Sequence, residues 1–193
     1  MSVNINELLA EPLTKIKRPL SFWEWPDRKV RDEFIACALL EELIVKQGWR
    51  IADRSVRGAP FSNKSPDVVA RFADGGTIAL ELTEWVDQKH LKAMIEGRRR
   101  DPPTFSAQAV RTGIDHCLER KRHKKLVGGP YALRVLVIHT AQELVAESAW
   151  TDLQHSYTPS DLAPWHQAYV ILPPPVGNAL PRQPKCQYVQ LHP

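Results

Sequence analysis

Between Asp27 and Gly48, apolar residues recur at Val30, Phe34, Ala38, Leu39, Leu43 and Ile44, the spacing of one helical face. Asp27 reads as the N-cap of this helix and Gly48 as its stop. Residues 49–56, WRIADRSV, read as a strand, and 57–65, RGAPFSNKS, as a loop rich in turn formers and cations. PDVVARFA, DGG and TIALELTEWV then follow from Pro66 to Val86. They predict a β-hairpin, with Asp74-Gly75-Gly76 supplying positive φ at the turn. A polar, basic connection over 87–103 leads to a second long helix over 104–127, with Thr104 or Ser106 near its start and cations crowding its end, which suits the helix dipole.

YALRVLVIHT, from Tyr131, is a nearly unbroken apolar run and predicts a central strand covered on both faces. Residues 141–156 predict a third helix, HQAYVILPP a strand stopped by prolines, and CQYVQLHP a closing edge strand. The order α-β-β-β-α-β-α-β-β predicts an α/β fold, a mixed β-sheet flanked by helices. Residues 1–27, broken by prolines and carrying Phe22, Trp23 and Trp25, read as an N-terminal arm, and 28–193 as a single α/β domain.

The hairpin carries the candidate chemistry. Asp67 opens its first strand and Glu81 sits inside its second, between Leu80 and Leu82. Side chains alternate faces along a strand, so Ala79, Glu81 and Thr83 share one face and Ile78, Leu80 and Leu82 the other. The Leu face is expected to pack inward, and the Ala-Glu-Thr face to open towards a cleft. A symmetric two-residue turn at Gly75-Gly76 would set Glu81 opposite Ala70, staggered from Asp67; a longer turn would close the gap. An unpaired ionised carboxylate on such a face is costly. A divalent cation removes that cost, and Mg²⁺ is commonly held by one or two carboxylates with water and phosphate oxygens.

Pro66-Asp67, thirteen intervening residues, and Glu81-Leu82-Thr83 resemble the PD-(D/E)xK pattern of the restriction-endonuclease-like phosphodiesterase superfamily. The resemblance covers roughly residues 28–140 and implies a restriction-endonuclease-like core. It implies a metal-dependent nuclease hydrolysing nucleic-acid phosphodiester bonds, with Mg²⁺ or Mn²⁺ as cofactor. Asp67 and Glu81 would be metal ligands, joined by the Leu82 carbonyl and by an acid of the first helix. Glu33, Glu41 and Glu42 are the candidates for that acid, and Glu33 is favoured. Thr83 stands where the family has lysine. A migrated cation from Lys64, Lys89, Lys92, Lys121, Lys124 or Lys125 would replace it, or Thr83 with Gln88 would hold the attacking water. Otherwise the fold is a catalytically inactive module that binds nucleic acid or a protein partner.

Composition narrows this picture without deciding it. The chain has 193 residues, 43% hydrophobic and 25% charged, with a net charge of +4, compatible with a nucleic-acid partner. EGRRRD at 96–101 and ERKRHKKL at 119–126 are the basic clusters. Each reads as a phosphate contact or as a solvated helix end. The three cysteines are widely spaced with no CxxC pair, which disfavours a zinc ribbon or a disulfide framework and suggests the cytoplasm. No HExxH, GxGxxG, P-loop or GxSxG occurs. No run approaches a membrane span, so no membrane partner is expected; a protein partner or a homodimer remains compatible.

Overall fold

The structure, a computed structural model, describes residues 27–53, 55–59, 64–86, 92, 96, 105–140, 147–172 and 186–192. The N-terminal arm, the connection around Gln88 and Lys89, and most of the EGRRRD cluster lie outside the described residues.

Helix α1 spans Arg28–Gln47. The Asp27 carboxylate accepts from the backbone N–H of Lys29 and Val30, capping two donors left open by helix geometry. Gly48, at φ 69°, ends the helix in the left-handed region. The buried stripe is Ile35, Ala36, Leu39, Leu40 and Leu43, with Asp32 in phase. It is rotated from the predicted stripe: Phe34 and Ala38 are half-buried and Ile44 is exposed. Both rows have helical spacing, and only contact with the sheet selects between them.

Six strands follow in one sheet, in the order β1-β2-β3-β4-β5-β6. They are β1 Arg57–Gly58, β2 Val68–Arg71, β3 Thr77–Glu84, β4 Leu133–His139, β5 Gln167–Leu172 and β6 Gln187–Leu191. β1, β2 and β3 form an antiparallel meander. β4 pairs with β3, and β5 with β4, in parallel; β6 returns antiparallel at the edge. Helix α2, Ala107–Arg122, makes the crossover from β3 to β4, and helix α3, Glu147–His155, the crossover from β4 to β5. The sheet is therefore mixed, and the predicted element order is the observed one.

The first strand is the exception. WRIADRSV contributes an isolated bridge between Ile51 and Phe72. The short β1 lies instead at Arg57-Gly58, inside the expected loop. The ladder on β2 selects that position, because Ala59 donates its N–H to the Asp67 carbonyl at 3.0 Å.

Two apolar cores sandwich the sheet. One packs α1 against Val68, Ala70, Ile78, Leu80, Leu82, Val135, Val137, Tyr169 and Ile171. The other packs α2 and α3 against Leu136, Ile138, Ala168, Val170, Val189 and Leu191. Consecutive β4 residues alternate between the cores, as a doubly covered strand requires. At about 1.5–3 kcal/mol per fully buried aliphatic side chain, these cores are the main stabilising term. Among the described residues no helix is long and apolar enough to cross a membrane.

Candidate functional site

The turn decides whether the two hairpin acids meet. Phe72 donates its N–H to the Gly76 carbonyl, and Gly75, at φ 98°, closes a turn onto the Phe72 carbonyl. Three residues form the loop instead of two, and only one of the two glycines takes positive φ. The register becomes Arg71 with Thr77 and Val68 with Leu80. One step further, Asp67 comes opposite Glu81, so the longer turn removes the stagger that a two-residue turn would give.

The two carboxylates nevertheless find different partners. Asp67 Oδ2 accepts from the backbone N–H of Leu82 at 2.8 Å, taking a place in the ladder beyond β2. Asp67 Oδ1 lies 3.8 Å from Arg28 of α1, and Arg28 Nε is 3.4 Å from Asp32 Oδ2. Arg28 thus links the two aspartates. Burial, reinforced by the Asp67 charge, pushes the Asp32 carboxyl up to about 6 against the pull of Arg28 and Arg31. Asp32, and not Glu33, is the α1 acid beside Asp67. The Glu33 carboxylate accepts from the Gly58 N–H at 2.7 Å and holds the short β1 strand instead.

Glu81 points to the face that α2 covers. That face is no cleft: Ala79 and Glu81 are fully buried and Thr83 nearly so. Lys121 Nζ and Lys124 Nζ each donate to Glu81 Oε1 at 2.6 Å. Arg120 Nη2 donates to Thr83 Oγ1. Glu81 Oε2 is buried and has no hydrogen-bond partner among the described residues. The cations reach this place because of the phase of α2. Val110, Ile114, Cys117 and Leu118 are its buried residues; Lys121, four residues after Cys117, continues that face, and Lys124 follows just past the helix end. The face changes from apolar to cationic where it passes over Glu81. Cys117, also in this layer, has its thiol pushed up by burial.

The remaining predicted residues divide. Lys64 lies in the loop before β2, where its carbonyl accepts from Val127 N at 2.8 Å, bringing this loop against the segment after α2. The Leu82 side chain belongs to the α1-side core. Lys92 pairs with Glu96 at 4.0 Å. In the ERKRHKKL cluster, Lys121 and Lys124 are half-buried, while Arg120, Arg122, His123 and Lys125 are exposed, the Arg120 guanidinium reaching Thr83. Gln88 lies outside the described residues. So does Asp87-Gln88-Lys89, an acid-x-lysine tripeptide just past β3.

A further charged group lies at the C-terminal ends of β3 and β4. Arg31 reaches Glu84 Oε2 at 3.4 Å, and Glu84 pairs with His139 across the ladder. Burial, with Arg31 and Arg28 nearby, holds the His139 imidazole down to about 3.

The fit to a divalent cation can be tested on these groups. Glu81 Oε2 is a buried acceptor with no partner among the described residues, and Asp67 stands opposite in the ladder. Two carboxylates suffice for Mg²⁺, which fills its shell with water and phosphate oxygens. No group of three His, Cys, Asp or Glu able to hold a metal occurs among the described residues. These two acids are the candidate ligands, and no closed protein cage surrounds them among the described residues.

No protein-family model matches the chain, and neither a curated protein nor a solved structure matches it. The chain is an α/β protein with a six-stranded mixed sheet, and its function has to be argued from the site.

Proposed function

We propose that the chain is a nuclease of restriction-endonuclease-like architecture, hydrolysing nucleic-acid phosphodiester bonds with Mg²⁺ or Mn²⁺. The carrying observation is the convergence of Lys121 and Lys124 on Glu81, beside Thr83. It supplies, from α2, the positive charge that the PD-(D/E)xK pattern takes from the position of Thr83. The element order supports the same reading: a helix, an antiparallel meander, a helix, then a strand parallel to the third.

In this reading Asp67, Glu81 and the Leu82 carbonyl hold the cation, which when bound supplies an activated water and neutralises charge on the phosphate. Lys121 and Lys124 orient the attacking water and stabilise the developing negative charge. Arg120 fixes Thr83, and the exposed Lys125 would grip a neighbouring phosphate. Calorimetry with Mn²⁺ or Mg²⁺ tests this on the wild type, Asp67→Ala and Glu81→Ala. Binding abolished by both substitutions is the expected result.

A second reading has its own observation. Glu81 is fully buried under its lysines, while Asp67 is tied to Arg28 on the other helix. Such a pair suits a catalytically inactive nuclease-fold module that binds nucleic acid or a protein partner. No metal binding at millimolar concentration, with no cleavage of single- or double-stranded DNA or RNA, selects this module.

A further inference from the structure

Among the described residues, the layer between β3 and the end of α2 carries more positive charge than Glu81 balances. Arg120, Lys121 and Lys124 face Glu81 and Thr83. Asp67 is engaged elsewhere, with the Leu82 N–H and Arg28. Both lysines direct their ammonium groups to a single oxygen of Glu81, and the other oxygen is buried without a partner among the described residues. Cations gathered on one buried carboxylate repel one another unless a further anion joins them. Both lysine side chains keep 17% of their surface exposed, so the layer is reachable from solvent on their side.

We propose that the inner end of α2 is a phosphate seat that works without a metal. Lys121, Lys124 and Arg120 bind the oxygens of a phosphate, and Glu81 is the resident anion that the ligand displaces or shares cations with. The guanidinium suits this role, since its planar fork matches two phosphate oxygens. Glu81 Oε2 can accept from a hydroxyl of a protonated phosphate or from a water carried with it. This rests on the nuclease reading only in naming the ligand as a backbone phosphate. The ammonium and guanidinium groups, and not a divalent ion, then do the holding.

Thermal unfolding and calorimetry of the full chain in EDTA, with inorganic phosphate as probe and chloride at equal ionic strength as control, test the seat. Phosphate should raise the melting temperature in proportion to the logarithm of its concentration, and chloride should not. The double substitution Lys121→Ala with Lys124→Ala should weaken phosphate binding by about tenfold or more. That double variant strips a buried acid of its partners and can fail to fold, so Glu81→Gln gives an independent arm. It keeps the shape, removes the competing anion, and should tighten phosphate binding, whereas a metal-ligand role alone predicts no gain in EDTA. An oligonucleotide that displaces phosphate assigns the seat to the nucleic-acid backbone; one that fails to displace it assigns the seat to free phosphate. No stabilisation by phosphate in EDTA, stabilisation that appears only with Mg²⁺, or weaker binding by Glu81→Gln overturns the proposal. Cleavage assays with metal are read separately, so an inactive protein that still binds phosphate would sink the nuclease and leave the seat.

Discussion

Lys121 and Lys124, three residues apart at the end of α2, donate to the same oxygen of Glu81, each at 2.6 Å. Two like charges share one acceptor because Glu81 is fully buried in the middle of the sheet and is the acid their side chains reach. Either lysine alone can keep the carboxylate paired, so their contributions are not additive. Lys121→Ala and Lys124→Ala singly should each cost about 1 kcal/mol. Removing both leaves a buried carboxylate without a counter-ion and should cost about 3–5 kcal/mol. Urea unfolding of the two singles and the double checks this, and equal additive costs would show that each lysine acts alone.

Much of this arrangement is written in the sequence. The apolar run of β4 follows from cover on both faces, and β3 is buried on both faces as well although Glu81 and Thr83 interrupt its apolar run. What the strand pattern alone hides is which face holds solvent. Glu81 and Thr83 look like an open face until α2 is laid over them. The 4-3-4-3 spacing of Val110, Ile114, Cys117, Lys121 and Lys124 is the signal that places the cations there, and it is visible without a structure. Asp32 was legible in the same way, four residues before Ala36 and seven before Leu39. It was missed because Phe34 and Ala38 offer a competing stripe. The register at Asp67 was not legible, since Asp74-Gly75-Gly76 admits a two- or a three-residue loop and only the ladder decides.

The nuclease reading makes Lys121 and Lys124 functional as well as structural. With Mg²⁺ or Mn²⁺ and a nucleic-acid substrate, replacing either lysine by alanine should lower cleavage by about 10²-fold or more, as loss of a charge-stabilising donor does. Asp67→Ala and Glu81→Ala should abolish it. Lys89 of the Asp87-Gln88-Lys89 tripeptide is the discriminating control. If Lys89→Ala abolishes cleavage while the α2 variants retain it, the motif cation comes from Lys89, and the lysines on Glu81 serve the fold.

Helix α2 is held close to the sheet at one glycine. A Cβ built at Gly113 would collide with the Trp85 indole, which packs tilted on Phe105 at 5.0 Å between centroids. Gly113→Ala would raise helix propensity slightly, but overpacking outweighs that gain. The variant should lose about 1–3 kcal/mol, measured by thermal unfolding. Since α2 also carries Lys121, any cleavage activity should fall with it. A neutral or stabilising outcome would mean that Trp85 can swing away, and that the α2 layer is looser than its packing indicates.

The pH dependence of stability separates the two buried groups on the α1 side. The Asp32 carboxyl is raised from 3.8 to about 6. Between those values the folded chain holds a proton that the unfolded chain has released, so Asp32 alone makes stability fall as pH rises through that window. The His139 imidazole is lowered from 6.5 to about 3. Between those values the unfolded chain holds the proton, so His139 alone makes stability fall as pH drops below about 6.5. The histidine shift is the larger, and the wild type should lose stability on acidification from pH 6.5 towards 4. His139→Gln removes that slope and should expose the opposite slope of Asp32, with stability rising as pH falls from about 6 to 4. Asp32→Asn should steepen the acid loss and gain up to about 3 kcal/mol at pH 7. Urea midpoints of the three proteins across this range decide the matter. Parallel profiles would show that neither group titrates with folding as its surroundings imply.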